Sequence, residues 1–257
     1  MTGVLSALGR AFASLMHPRL LLLSVLPTLA AALFWGALTL YYWSPLNIWL
    51  VAWLKNSTAV DWVLYAARVM FEWDVNTLLP GLARFLILLT VLPLIQASAL
   101  LLTALCAMPY LLKHVATRSY PGLELRRGGS FAGSALSALF GSVVFICLWV
   151  VTLPLWLIPG LALVLPLALS AYVNQRMFCY DAVADHADRE ELKSLLHGHR
   201  IARYGLGAVL GVVHFVPLLG WFAPVYVGLA YIHWGLARIA AMRAAALRHA
   251  TVAQETD

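Results

Sequence analysis

The residues in this chain whose types and positions could do chemistry are three arginines, two glycines and a few histidines. Arg19 follows Pro18 at the head of an apolar run, and Arg200 and Arg203 close a polar segment just before another. A guanidinium is a permanently charged, forked donor that suits an oxyanion. At the edge of an apolar run the same residues also serve as topology markers and head-group contacts, so both uses stay open. Pro159-Gly160 and Gly220 sit at breaks inside uncharged runs. Helices starting there would offer an anion free N–H groups and about half a positive charge without a full cation at depth. Pro and Gly also serve there as turn residues. His214 and His233 are ionisable groups in apolar sequence and therefore functional candidates, with a carbonyl-bonded neutral imidazole as the plainer expectation. His197 and His199 flank Gly198, a spacing that gives a metal little support, and no metal site is expected. Asp185 and His186 are expected to cap and orient a helix. There is no nucleophile elbow, H-E-x-x-H, P-loop or acid pair within a span, so enzymatic chemistry is disfavoured and no cofactor is expected.

The elements that must position these residues are membrane elements. The chain is 63% hydrophobic and 11% charged, with mean hydropathy +0.86, whereas a soluble domain is about 25% charged. It reads as an all-α polytopic membrane protein of one membrane domain, residues 1–257. The net charge of +6 fits basic loops on the cytoplasmic side of a bilayer, the expected partner, and does not argue for nucleic acid. Cys106, Cys147 and Cys179 have no metal spacing and are expected to pack without a disulfide.

Residues 1–17 place Val4, Leu5, Leu8, Phe12, Leu15 and Met16 on one helical face, the pattern of an interfacial helix and not of a leader. Residues 20–42 and 85–112 read as spanning helices, the second kinked at Pro93. Between them, 44–76 is Trp-rich and suits a periplasmic interfacial segment. The 113–127 loop carries net +3, a cytoplasmic sign. Residues 130–175 and 204–237 form two helical hairpins broken by Pro154, Pro159, Pro166, Pro217 and Pro224, read as turn prolines. The two Pro-x6-Pro turns, 159–166 and 217–224, make a weak internal repeat, and transporters place substrate between such repeats. In 204–237 no Asp, Glu, Lys or Arg occurs over 34 residues. Each arm is about 15 residues, or roughly 23 Å, against a hydrocarbon core of about 30 Å. A half-penetrating hairpin follows, and irregular backbone at depth suggests a pathway. Residues 176–203 are the polar cytoplasmic segment, with an amphipathic helix near 188–200 and the two arginines at its end. Residues 238–257 read as a basic tail.

Several short motifs carry a family resemblance: Tyr172-Val173-Asn174-Gln175-Arg176, Tyr180-Asp181, Asp185-His186, Gly205-x-Gly207 and Val216-Pro217-Leu218-Leu219-Gly220 with Ala223-Pro224. Ile158-Pro159-Gly160, Met108-Pro109-Tyr110 and Pro18 followed by Pro27 add to them. Together they resemble the CysZ-type sulfate permeases of the etoposide-induced-protein family. The resemblance implies a bacterial inner-membrane protein with two long helices and two pairs of half-penetrating helices, a dimer-based homo-oligomer and sulfate uptake. Family sulfate transporters carry an arginine pair shortly after the proline that opens the first span. Here Arg19 stands next to Pro18, and the pair positions read Leu21 and Leu22.

The reading is transport of a small inorganic oxyanion, sulfate above all, with anion contacts at Arg19, Arg200, Arg203, Gly160 and Gly220. The rivals are a membrane scaffold without transport and a lipid-handling protein. Both termini are expected in the cytoplasm. Cysteines introduced at Ser57 and Ser194 should then react with impermeant reagents from opposite sides of intact cells; labelling of both from outside would overturn this topology.

Overall fold

A computed structural model describes residues 2–58, 60–61, 65, 68–69, 75–126, 128–153, 155, 159–213, 216 and 219–256. In chain order its helices are α1 (Thr2–Leu15), α2 (Pro18–Tyr41), α3 (Trp43–Lys55) and α4 (Val75–Leu102). A π-helical turn (Thr103–Ala107) joins α4 to α5 (Met108–Ser119). Then come α6 (Phe131–Thr152), α7 (Pro159–Ala184), α8 (Arg189–Gly198), α9 (Arg200–Val213) and α10 (Leu219–Thr256). Among the described residues there is no strand.

Among the described residues four helical stretches are long and apolar enough to cross a membrane: Pro18–Tyr41, Leu78–Ser119, Ala132–Thr152 and Leu219–Thr251. The protein is an all-α, multi-pass membrane protein. Two expectations change here. The second span is not confined to 85–112: helix runs from α4 through Pro80, Pro93 and the π turn to Ser119. The second arm of the last hairpin does not stop near residue 237 either. It continues through 38 residues to Thr256, because the Ala-rich stretch after Arg238 is strong helix former and the arginines lie within it. Only α9, at 14 residues and roughly 21 Å, matches the short arm expected.

By its contacts the chain divides into two compact units, Ala30–Gln96 and Met1–Leu29 with Ala97–Asp257. In the smaller unit Leu54, Leu79 and Ala83 are buried, with Leu50, Val51 and Leu82 packed against them. Trp49 and Trp53 are exposed there.

The larger unit is built round α10. From Ala223 to Leu236 every residue is buried except half-buried Tyr226. Of the most apolar window of α10, 67% lies inside the protein, against 22–28% for the other three candidate spans. A helix apolar on all sides belongs inside, and the others present Leu22, Leu26, Leu136, Phe140 and Val151 outward. In water such faces would aggregate; in lipid they need no cover.

Small residues set the helix spacing, as is common between membrane helices. A Cβ on Gly207 would stand 2.7 Å from the Ala171 carbonyl oxygen and 2.9 Å from the Tyr231 hydroxyl. One on Gly235 would stand 2.5 Å from a Val183 methyl. These glycines let α9 and α10 close onto α7. On α1, Ala7, Ala11 and Leu15 are buried. The expected membrane stripe is thereby split: Leu5, Phe12 and Met16 stay exposed, while Val4 and Leu8 pack partly inward. Alanines allow close approach, so α1 turns its small face to the protein.

The polar segment is tied to α10 by a clasp. Asp188 caps α8, its Oδ1 accepting the Glu190 and Glu191 N–H groups at 2.9 and 2.8 Å. Glu191 returns Oε2 to the Asp188 N–H at 2.9 Å, completing a capping box. The cap is thus Asp188, and not Asp185 and His186. Arg243 donates Nε and Nη2 to the two Glu191 oxygens, each at 2.9 Å. It also reaches the carbonyls of Glu124 and His186. The bond from Arg243 holds the Glu191 carboxyl below its usual range. The backbone N–H of Glu191, ahead of the nearby Arg126, does the same for Asp188.

Two outcomes follow. Gly207→Val should cost about 1–3 kcal/mol by overpacking, seen as a lower thermal midpoint in detergent, while Gly205→Ala, with open space at its Cβ, should not. Both clasp carboxyls are depressed, so their stabilisation is present above the ordinary carboxylate range of about 4. It is lost as pH falls through the lower folded values. The midpoint difference between the native protein and Glu191→Gln should be largest at neutral pH and shrink below about pH 4; a pH-independent difference would contradict the clasp.

Candidate oxyanion-binding cavities

Two cationic cavities lie in the larger unit. The first, about 460 Å³, opens where α1 gives way to α2. Arg10, Ser14 and His17 follow at intervals of four and three residues, and His114 and Arg118 at four. Helical periodicity puts each set on one side of its helix. The fold brings the two sets together and adds His233 from α10. Arg10 Nη1 donates to the Tyr120 hydroxyl at 2.9 Å, and that hydroxyl donates to the His233 carbonyl at 3.1 Å. Ser14 Oγ and His233 Nε2 are 2.9 Å apart. The His17 and His114 rings have centroids 5.3 Å apart. Nδ1 of both His17 and His233 is buried and unpartnered within the protein. Arg19 is exposed beside this cavity, close enough to act electrostatically on His114. Among the described residues no carboxylate lines the cavity.

The second cavity, about 450 Å³, lies between α6, α7, α8 and α9. It gathers Arg176, Arg200, Arg203 and His197 with the hydroxyls of Ser137 and three tyrosines, again with no carboxylate among the described residues. Arg203 is only 5% exposed. Its Nη2 donates to the Leu196 carbonyl, its Nη1 lies 4.0 Å from Cys179 Sγ, and its Nε has no partner. The Arg203 carbonyl accepts from Tyr231 at 3.0 Å. Asp181, the buried acid on the same stretch of α7, turns to Ser134 instead; burial pushes its carboxyl up to about 6.

The expected site residues are therefore not one site. Arg19 borders the first cavity, and Arg200 and Arg203 line the second. The two arginines do not end the polar helix: α8 stops at Gly198, His199 leaves helical geometry, and Arg200 opens α9. Arg203 is structural as well as cationic, because one turn into α9 it faces α7. Gly160 and Gly220 each lie second in their helices, α7 and α10, at the helix starts expected, but line neither cavity. Pro159 is the first residue of α7, a favoured position. Pro166 and Pro224 are not turn residues; both sit inside helices, where membrane surroundings tolerate them. Pro154, Pro217 and His214 lie outside the described residues. Of the cysteines only Cys179 is buried; Cys106 and Cys147 are exposed and do not pack inside. His197 Nδ1 pairs with the Lys193 carbonyl, and His199 meets the Trp234 ring edge-on. Among the described residues no group of three or more His, Cys, Asp or Glu is placed to hold a metal.

Sequence reasoning missed Arg10, His17, His114 and Arg118 as site residues. Their helical spacing was visible; that the two sets line one cavity was not.

A family model described as sulfate transporter CysZ/etoposide-induced protein 2.4 matches residues 7–224. The chain belongs to this family. The match takes in both cavities except His233 of the first. No curated protein and no solved structure matches the chain. In this family member Leu22 points outward and Leu21 packs partly against the core. Neither lines the first cavity, whose charge comes from α1 and α5 instead.

The geometry makes Arg10 and Arg118 the donors of the first cavity. Replacing either by Gln should weaken equilibrium binding of radiolabelled sulfate to purified protein at least about tenfold, the equivalent of about 1.4 kcal/mol. The elution profile of the folded protein should not change.

Proposed function

We propose that the chain passes a small inorganic oxyanion, sulfate above all, across the bacterial inner membrane. The observation that supports this most is the cavity of Arg10, His17, His114, Arg118 and His233 beside Arg19, which no carboxylate lines among the described residues. Among the described residues Arg10 and Arg118 have no carboxylate within ion-pairing distance, and such cations favour an anion from solution. At about 460 Å³ the cavity has room for a tetrahedral oxyanion and several waters, each of which takes about 30 Å³. Membership in a family described by sulfate transport agrees with this reading. Chemistry on a substrate is not part of it: transport needs desolvation, donors and release. Arg19 is the entry contact. The start of α7 at Gly160 offers further N–H dipoles; at α10 the Gly220 N–H is already taken by the Val216 carbonyl at 3.0 Å, which leaves only the helix dipole there.

The basic stretch 113–127, which is the end of α5 and the segment after it, and the arginines of α1 and α10 favour cytoplasmic placement of both termini and of the first cavity. The shortness of α9 favours a half-penetrating first arm of the last hairpin, with the first residues of α10 turning back beside it. The family resemblance favours a dimer-based homo-oligomer.

Purified protein in liposomes should accumulate radiolabelled sulfate, and Arg19→Ala should slow uptake without lowering yield. Folded, monodisperse protein that neither binds nor passes sulfate would overturn transport in favour of a scaffold.

A further inference from the structure

The second cavity does not resemble a transit site. Its most buried cation, Arg203, is only 5% exposed and is held to the Leu196 carbonyl. Its other cations, Arg176 and Arg200, are exposed. Among the described residues none of the three arginines has a carboxylate within ion-pairing distance. The surroundings are apolar. The Arg176 guanidinium lies 5.5 Å over the Phe140 ring, which is itself 53% exposed. Leu136 and Val143 are exposed on the same helix, and Ile201, next to Arg200, is 91% exposed. Tyr172, Tyr180 and Tyr204 line the cavity, the side-chain type that gathers where hydrocarbon meets head groups. A cationic pocket with a polar floor and an apolar outer wall fits an amphiphile whose anionic head enters while its tails remain outside.

We propose that this cavity binds the phosphate of an anionic phospholipid. Arg176, Arg200 and the free Nε of Arg203 face the phosphodiester oxygens. Ser137 and Gln175 reach head-group hydroxyls, and the acyl chains lie along Leu136, Phe140 and Val143 on α6. Arg203 joins α8 to α9 and lies against α7, so the lipid phosphate also neutralises a cation buried among three helices. The site is separate from the transport cavity and does not rest on the transport reading. Inorganic phosphate and sulfate share the tetrahedral oxyanion chemistry but lack the tails that the apolar wall accepts.

The test is native mass spectrometry and thermal unfolding of delipidated protein in detergent, titrated with phosphatidylglycerol, phosphatidylcholine, inorganic phosphate or sulfate. Phosphatidylglycerol should be retained and raise the midpoint, at least about tenfold tighter than phosphatidylcholine. Arg176→Gln/Arg200→Gln should lose that preference, and Arg176→Lys/Arg200→Lys should keep part of it. Arg10→Gln should leave it intact. Both arginines are exposed, so the double variant should fold; an unchanged elution profile and unliganded midpoint check this, and Arg200→Gln alone provides a milder variant. Equal retention of the two lipids, or an unchanged preference in both Gln variants, would overturn the proposal. So would phosphate or sulfate displacing the lipid at concentrations equal to its own.

Discussion

The burial of α10 is the constraint on which the larger unit depends. Through Ala223–Leu236 the helix has no polar face to give to solvent, so other helices must enclose it. They do so through glycine and alanine contacts that bring backbones close: Gly207 and Gly235 toward α7, Ala7 and Ala11 from α1. Once enclosed, α10 distributes the functional groups. His233 reaches Ser14 at one cavity. Its neighbour Trp234 meets His199, near the other. Tyr231 holds the carbonyl of Arg203, and Arg243 locks the polar segment through Glu191.

Charge placement follows from that packing. Three acids of the polar segment are engaged away from the cavities. Asp188 and Glu191 serve the α8 cap and the Arg126 and Arg243 pairs, and Asp181 turns to Ser134. Among the described residues neither cationic cavity contains an acid. In a medium of low dielectric, cations without internal counter-charge are costly. Their grouping at hydroxyl-bearing surfaces is most simply understood as provision for an anion that arrives from outside. The two cavities differ in what surrounds the charge. The first is ringed by imidazoles and serine hydroxyls, suited to a hydrated ion; the second is bordered by exposed aromatic and aliphatic side chains.

Much of the architecture was legible because membrane helices announce themselves by long uncharged runs, as α2 and α6 do. The extension of α10 was misread because Arg238, Arg243 and Arg248 look like a tail, although Ile239-Ala240-Ala241-Met242 and Ala244-Ala245-Ala246-Leu247 between them favour helix. The break at His199 had only Gly198 to mark it. Arg200 and Arg203 were legible as cations but not as residues of α9, where one faces out and the other in. The first cavity was legible in halves, because periodicity aligns Arg10 with His17 and His114 with Arg118. Joining halves about a hundred residues apart is a tertiary event that local pattern does not encode. Pro166 and Pro224 misled for a different reason: in water a proline ends a helix, whereas within a membrane bundle the helix carries on past it.

The central claim is that a tetrahedral oxyanion sits among Arg10, His114, Arg118 and His233. Selenate replaces sulfate with an atom that can be located by its anomalous scattering. Crystals grown in selenate should show a selenium peak within that cavity, within hydrogen-bond reach of the two guanidinium groups. A peak confined to the starts of α7 and α10, or to the Arg176–Arg200–Arg203 cavity, with the first cavity empty, would contradict the account.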